Sequence, residues 1–268
     1  MKYRLLVLDI DGTVTNSQKE VTEKTRKAIL GLEERGIRVA IASGRHPQGV
    51  LPIARILDFH QFGNFILAFN GARIMDVRQN TCVYERRLPP FLPARLWKDA
   101  KNYGLGISTY TENALIAGTR PDPYMELESR ISHIPIEYHE DFCRFVDFPV
   151  NGCLFTGSPE DIEAIEPVLS CRYFHETQIF RSEPCFLEVV SKNVDKAYSL
   201  KHLLEKLGIA REEMVCCGDS FNDISMIRYA GLWVAMANAQ EKVKDIANYI
   251  TEQDNDHDGI AEVIERFF

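Results

Sequence analysis

Residues 4–17 read Arg4-Leu5-Leu6-Val7-Leu8-Asp9-Ile10-Asp11-Gly12-Thr13-Val14-Thr15-Asn16-Ser17, and how this stretch ends decides what the rest of the chain must be. The unbroken apolar run Leu5–Leu8 predicts a strand buried on both faces, spanning Arg4 to Asp9. Two carboxylates then stand one residue apart. In an extended chain, side chains at i and i+2 share a face, so Asp9 and Asp11 would crowd each other. Like charges that close resist double ionisation unless a cation or a proton lies between them. An ordinary Asp-Gly turn closing a strand would produce the same letters. The remainder of the chain has to choose between the two.

Working outward, Thr22 to Arg35 carries Ala28, Ile29 and Leu32 at helical spacing, with Thr22 as a cap and Gly36 as a stop. Ile37 to Ala42 reads as a second strand, and a helix from about Pro47 to Asp58 follows, with Pro at its first turn. Phe65 to Phe69 is a third strand, ending at Asn70-Gly71. Strand, helix, strand, helix, strand implies parallel βαβ units.

From about Thr81 to Pro184 the segments shorten and prolines punctuate them. This region predicts helices at Leu92–Tyr103 and Pro159–Leu169, and short strands such as 113–117 and 152–155. Arg172-Tyr173-Phe174 and Gln178-Ile179-Phe180 read as a hairpin pair. Regular alternation then returns. A strand at Phe186–Val190 and a helix at Asp195–Leu207 precede a buried strand at Glu213–Cys217. A helix around Asn222–Tyr229, a strand at Leu232–Ala235, a helix from about Gln240 and a short strand at 247–251 complete the chain. The pattern is of the α/β class: a Rossmann-like parallel sheet core, residues 1–82 and 188–268, interrupted by an inserted α+β cap domain, residues 83–187.

Composition narrows the functional classes. Of 268 residues, 31 are basic and 39 acidic, a formal net charge of −8. With no basic block, a nucleic-acid partner or an anionic membrane surface is not expected. No apolar run reaches the roughly 18 residues of a membrane span, and Asp9 interrupts the first apolar stretch too early for a signal peptide. The 7 cysteines show no Cys-x-x-Cys spacing and read as buried thiols of a reducing, cytoplasmic compartment. The histidines lack any zinc-binding spacing.

In an open parallel sheet, ligands bind beyond the carboxyl ends of the strands. Those ends here carry Asp9-x-Asp11, Ser43-Gly44-Arg45 and Gly218-Asp219-Ser220-x-Asn222-Asp223, while the helix starting at Asp195-Lys196 adds a cation. Each piece has a bland reading: a strand-to-helix turn, an exposed lysine (Lys192 competes with Lys196), a helix cap. Together they describe a hard oxygen site suited to Mg²⁺ beside an anion cradle, which is the equipment of phosphoryl transfer.

"DIDGTVT", "IASGR", "VDKAYSLKHLLEKLGI" and "GDSFNDISMI" resemble the four ordered motifs of the haloacid dehalogenase-like hydrolase superfamily. The long insert, "FNGARI" and "AMANAQEKVKDIANYIT" are similar to its Cof-type sugar-phosphatase subfamily. One departure is Asn193, where the subfamily often has Gly. The resemblance implies Asp9 as a nucleophile forming an aspartyl-phosphate and Asp11 as the acid/base. It implies a magnesium ion held by the Asp9 side chain, the Asp11 carbonyl and Asp219. Ile10 (backbone), Ser43, Gly44, Lys196 and Asn222 would hold the phosphoryl group, with Asp223 behind them.

The expected enzyme is a cytoplasmic Mg²⁺-dependent phosphatase of small phosphorylated metabolites, sugar phosphates above all, acting as a monomer or homodimer. A phosphomutase and a noncatalytic phosphometabolite-binding module are the alternatives. Specificity is expected from cap side chains such as Tyr110, Arg120, Tyr124 and Arg181. One motif points elsewhere: Asp254 to Glu265 satisfies the calcium-loop pattern Asp-x-Asp-x-Asp-Gly-x5-Glu. The apolar stripe Ile260, Val263, Ile264 and Phe267 begins inside that loop, however, which favours an acidic turn capping the last helix.

Overall fold

Every residue of Leu5–Leu8 is inaccessible to solvent, and this strand (β1) is the hub of the architecture. The protein, as a computed structural model, is described over residues 2–268; Met1 lies outside that range. Contacts divide the chain into two units: residues up to Ser43, Val50–Tyr84 and Asp195–Phe268 form the first, and Gly44–Gly49 with Glu85–Val194 form the second.

In the first sheet, β1 is followed by β2 (Arg38–Ala42), β3 (Phe65–Ala68), β4 (Arg73–Asp76) and β5 (Thr81–Glu85). The chain then builds β6 (Gly106–Tyr110), β7 (Leu115–Ala117), β8 (Ile136–Tyr138), β9 (Gly152–Thr156), β10 (Thr177–Glu183) and β11 (Phe186–Ser191). It returns to the first sheet with β12 (Met214–Gly218), β13 (Leu232–Ala235) and β14 (Tyr249–Ile250). The first sheet has the order β14-β13-β12-β1-β2-β3-β4-β5. Strands β14 through β3 pair in parallel, and β4 turns back antiparallel on β3. From β1 the chain first fills one side of the sheet, β2 and β3. It later fills the other, β12 to β14. The strand order therefore reverses at β1, the topological switch point where such sheets bind ligands.

The connecting helices follow their local signals. Glu23–Glu34 starts at Thr22, whose side chain accepts the Thr25 N–H. Lys196–Leu207 starts at Asp195, which accepts the Tyr198 N–H at 2.7 Å. Asn193 has φ +62°, a left-handed conformation that asparagine tolerates. This explains why Asn serves where the subfamily often has Gly.

The second unit has a sheet of order β10-β11-β9-β6-β7-β8. Its Ile107, Phe155, Leu187 and Val189 pack in one core with Leu92, Leu96 and Ala100 of the helix Leu92–Tyr103 and Ile162, Ile165 and Leu169 of the helix Pro159–Arg172.

Several sequence expectations change here. The expected boundary at 187/188 falls inside β11, which pairs with β10 and β9 of the second unit; the division comes instead at Val194/Asp195. The hairpin begun at Arg172 is not formed. The helix runs on through Arg172, because Arg172 hydrogen-bonds the Asp99 carboxylate and the Tyr173 hydroxyl donates to Asp99 Oδ2 at 2.6 Å. β10 pairs with β11 instead. A further helix, Pro123–Ser132, was hidden among the prolines. Asp122 caps it through the N–H groups of Tyr124 and Met125, and Pro123 occupies the first turn, where its missing donor costs nothing.

The calcium-loop pattern is a helix start. Asp256 accepts from Ser17, Asp258 from the Thr22 and Thr25 hydroxyls, and Gly259–Phe267 is helical from within the motif. The seven cysteines are free, but only Cys153, Cys216 and Cys217 are buried, while Cys82 and Cys171 are exposed. Among the described residues no helix is long and apolar enough to cross a membrane.

Candidate active site

The parallel register carries β1, β2, β3 and β12 to the same end of the sheet, and the polar residues follow directly. Asp9 continues β1: its N–H donates to the Cys217 carbonyl at 3.0 Å, which keeps it in line with β12. Asp219 and Asp223 follow β12 within one short turn, Phe221–Asp223 being 3₁₀. Carboxylate oxygens of Asp9, Asp219 and Asp223 lie within 4.8 Å of one another.

Lys196 runs into this cluster. Its ammonium has no solvent exposure and donates to Asp9 Oδ1 at 2.5 Å and to Asp223 Oδ1 at 2.6 Å. Asp223 is also fully buried, and its other oxygen accepts the Asp219 and Ser220 N–H groups, each at 3.0 Å. Asp219 Oδ1 accepts the Thr13 hydroxyl at 2.7 Å. Gly12, at φ +80°, lets the chain pass so close that a Cβ there would lie 2.6 Å from Asp219 Oδ2. Any side chain at residue 12 would thus meet both backbone strain and the carboxylate.

The electrostatics are unbalanced. Burial, then the neighbouring Asp223, raises the Asp9 carboxyl well above its ordinary range, with Lys196 opposing. Asp219 is pushed up to about 7 by burial and then by Asp223. Burial by itself would lower the Lys196 ammonium, but Asp223 and Asp9 outweigh it and raise it. Three carboxylates against one lysine leave a deficit of positive charge in a buried site. The donors are all oxygen, which fits a hard divalent cation. Asp223 already spends its oxygens on Lys196 and two backbone donors, so Asp9 and Asp219 are the better placed ligands.

The other expected residues are placed as follows. Asp11 lies beside the cluster but outside it: Oδ1 accepts Lys19 Nζ at 2.8 Å, and the side chain is about a third exposed, at 34%. The Ile10 carbonyl accepts the N–H groups of Val14 and Thr15 at 3.1 and 3.0 Å, which folds the loop after β1 tightly. Ser43 is buried at the end of β2, its N–H donating to Leu67 O at 2.9 Å. Gly44 is the first residue of the second unit. Lys192, the rival of Lys196, donates to the Phe174 carbonyl at 2.7 Å and takes no part. Asn222 donates to Asn70 Oδ1 at 3.1 Å.

Sequence reading singled out neither Lys19 nor Asn70. Asn70 was legible only as the Asn-Gly that ends the third strand. The turn it forms is unusual: Phe69, Asn70 and Gly71 have φ of +51°, +52° and +95°. Gly71 adopts this freely, but a non-glycine residue held there costs of order 1–3 kcal/mol and persists only where the surroundings hold it.

In the second unit, Tyr110 is half-buried and its hydroxyl meets Glu128 Oε1 at 3.1 Å; Ser132 donates to the same oxygen at 2.5 Å. Arg181 pairs with Glu166 at 2.8 Å, which ties it to the helix Pro159–Arg172.

A family model described as haloacid dehalogenase-like hydrolase matches residues 6–264, and the chain belongs to that family. Its large inserted α+β unit places it in the Cof-type branch. A haloacid dehalogenase-like hydrolase of known structure from Bacteroides thetaiotaomicron is 42% identical, with a TM-score of 0.93 and 100% of both chains covered. The 5-amino-6-(5-phospho-D-ribitylamino)uracil phosphatase YcsE of Bacillus subtilis is 32% identical over 263 residues, 97% of this chain and 94% of its own. A subclass IIB sugar phosphatase, 24% identical, shares the fold at a TM-score of 0.82 with 98% of both chains covered.

Proposed function

We propose that this phosphoric monoester hydrolase removes phosphate from small phosphorylated metabolites, sugar phosphates among them, by way of an aspartyl-phosphate on Asp9 and with Mg²⁺ as cofactor. The observation that carries the reading is the buried set Asp9, Asp219 and Asp223 around Lys196, at the switch point of a parallel sheet. A nucleophilic carboxylate, a fixed cation and oxygen donors suited to a divalent ion are what displacement at phosphorus requires.

An Asp9 oxygen attacks phosphorus and the ester oxygen leaves, taking a proton from Asp11. Water then attacks the phosphoryl group of the aspartyl-phosphate, Asp11 takes its proton, and phosphate departs with Asp9 restored. Lys196, hydrogen-bonded to Asp9, favours the ionised carboxylate against the burial that opposes it and faces the charge of the phosphoryl group. The backbone at Ile10, Ser43, the Gly44 N–H and Asn222 bind the phosphoryl oxygens. Asp9, the Asp11 carbonyl and Asp219 would hold Mg²⁺, which when bound neutralises phosphoryl charge as a Lewis acid. For Asp11 to reach a leaving group, its carboxylate must release or share Lys19.

The inserted unit serves as the cap, with Tyr110, Arg120 and Tyr124 as candidates for choosing the leaving alcohol; the ion pair of Arg181 with Glu166 argues against its inclusion. Free cysteines at the surface, Cys82 and Cys171, suit a reducing cytoplasm. The test is phosphate release from a panel of phosphorylated metabolites with and without Mg²⁺. Release from several monoesters, abolished by chelation, is expected; isomer formation without phosphate release would overturn the reading in favour of a mutase.

A further inference from the structure

The loops that hold Asn70 and Asn222 belong to strands that are not neighbours. β12 and β3 are separated by β1 and β2, so at about 4.8 Å per step their axes stand roughly 14 Å apart. Yet Asn222, just after β12, donates to Asn70 Oδ1, just after β3, at 3.1 Å. The two loops therefore arch over the carboxyl ends of β1 and β2, which carry Asp9 and Ser43. Two further contacts tie down the Asn70 side of the arch. The Asn70 N–H donates to the Ser43 carbonyl at 3.0 Å. Gly71 presses against the start of the Lys196 helix, where a Cβ would lie 2.8 Å from the Asp195 carbonyl.

Within this frame one polar group has no use. Asn70 is 2% exposed, and its Nδ2 amide has no hydrogen-bond partner. A buried amide left unpaired is costly, and buried polar groups are almost always satisfied. Its own Oδ1 is already spent on Asn222, and its backbone N–H on Ser43. The surrounding residues are the ones proposed above to hold a phosphoryl group. A phosphoryl oxygen is an acceptor of the right kind to complete such a donor, with a strength typical of charge-assisted hydrogen bonds.

We propose that Asn70 Nδ2 is a direct phosphoryl donor, and that Asn70 Oδ1 at the same time holds Asn222 in place; the proposal rests on the phosphatase reading. The asparagine closes the phosphate cradle from the β3 side. Its backbone is left-handed, φ +52° and ψ +32°, which asparagine tolerates.

Two variants of the full chain separate donation from positioning. Asn70→Asp keeps an acceptor for Asn222 and tolerates the left-handed backbone, but replaces the donor with an acceptor. Asn70→Gly removes the whole amide and suits the backbone without strain, so it folds at least as well as the parent. The readouts are inorganic phosphate binding by titration calorimetry with Mg²⁺ present, and KM and kcat for p-nitrophenyl phosphate. About tenfold weaker phosphate binding is expected for Asn70→Gly, and a larger loss for Asn70→Asp. KM should rise in step and kcat should stay within about twofold. If Asn70→Asp binds phosphate as tightly as the parent while Asn70→Gly is weakened, the residue only positions Asn222 and direct donation is overturned. If both variants match the parent, both parts of the proposal fall while the phosphatase reading stands. A parent protein that neither binds phosphate nor releases it from a monoester overturns that reading itself, and this proposal with it.

Discussion

Two groups of buried and half-buried carboxyls, one in each unit, face the same physical problem and solve it differently. In the first unit, Asp9, Asp219 and Asp223 crowd around the fully buried Lys196. In the second, Glu128 and Glu188 lie close enough that Glu128 raises the titration point of Glu188. Their hydrogen-bond partners are hydroxyls, Tyr110 and Ser132 on Glu128 and Ser182 on Glu188 at 3.1 Å; Arg45 favours the Glu128 carboxylate too, but less than burial opposes it. A carboxyl taken out of water has two remedies, a cation or a proton. Lysine and close oxygen spacing make the first group a place for cations. Neutral hydroxyl partners leave the second to hold protons. Burial of acid by itself therefore says little about catalysis; what the acid is buried with decides.

The largest expected effect attacks the first remedy directly. Asp9→Asn removes the nucleophile proposed above, and kcat for any monoester substrate should fall at least about a thousand-fold, measured as phosphate release. A variant with parental turnover would refute the covalent route. Next comes Lys196→Ala, which strands two buried carboxylates without their cation. Breaking a buried ion pair from one side costs about 3–5 kcal/mol, so a marked fall in denaturation midpoint should accompany the loss of activity. Unchanged stability would mean that the cluster relieves its charge in some other way.

A smaller effect tests the metal. At about a hundred times the dissociation constant, an ion that binds only the folded chain adds about 2.7 kcal/mol. Chelation followed by Mg²⁺ addition should therefore shift the melting temperature up by several degrees, and Asp219→Asn should abolish that shift. The smallest belongs to the second group. Glu188 is pushed up to about 8 by burial and then by Glu128, against an ordinary 4.5. The folded chain thus keeps a proton that the unfolded chain has lost. Stability should decline as pH rises from about 4.5 to about 8 and level off beyond. Because Glu188 is only partly buried, the slope is worth about 1 kcal/mol once solvent screening is allowed for. Glu188→Gln should make the decline shallower by its own share, the raised Asp9, Asp219 and Glu33 carboxyls supplying the rest, as read from melting temperatures at pH 5 and pH 8. An unaltered slope would place the titration elsewhere.

What could be read along the chain was whatever depends on near neighbours. Apolar runs marked β1, β2, β3 and β12. Thr22 and Asp195 marked helix starts, and acids or Ser-Gly at strand ends marked the candidate site, because parallel strands deliver their carboxyl ends to one edge. The helix Pro123–Ser132 was equally local, but its prolines imitate a loop. Where pairing is remote, the letters were silent. β11 reads like a strand of the core because its apolar run suits either sheet, and only its pairing with β9 and β10 assigns it.

The same limit governs the site. The sequence by itself determined which strand ends carry acid, and that a lysine begins the helix after the insert. Only the tertiary structure decided that Lys196 and not Lys192 meets Asp9, that Asp11 faces Lys19, and that Asn70 and Asn222 join across two intervening strands. Periodicity encodes the direction of a side chain relative to its own element. The distance between residues 70 and 222 is set by how a whole sheet packs, and no local pattern carries it.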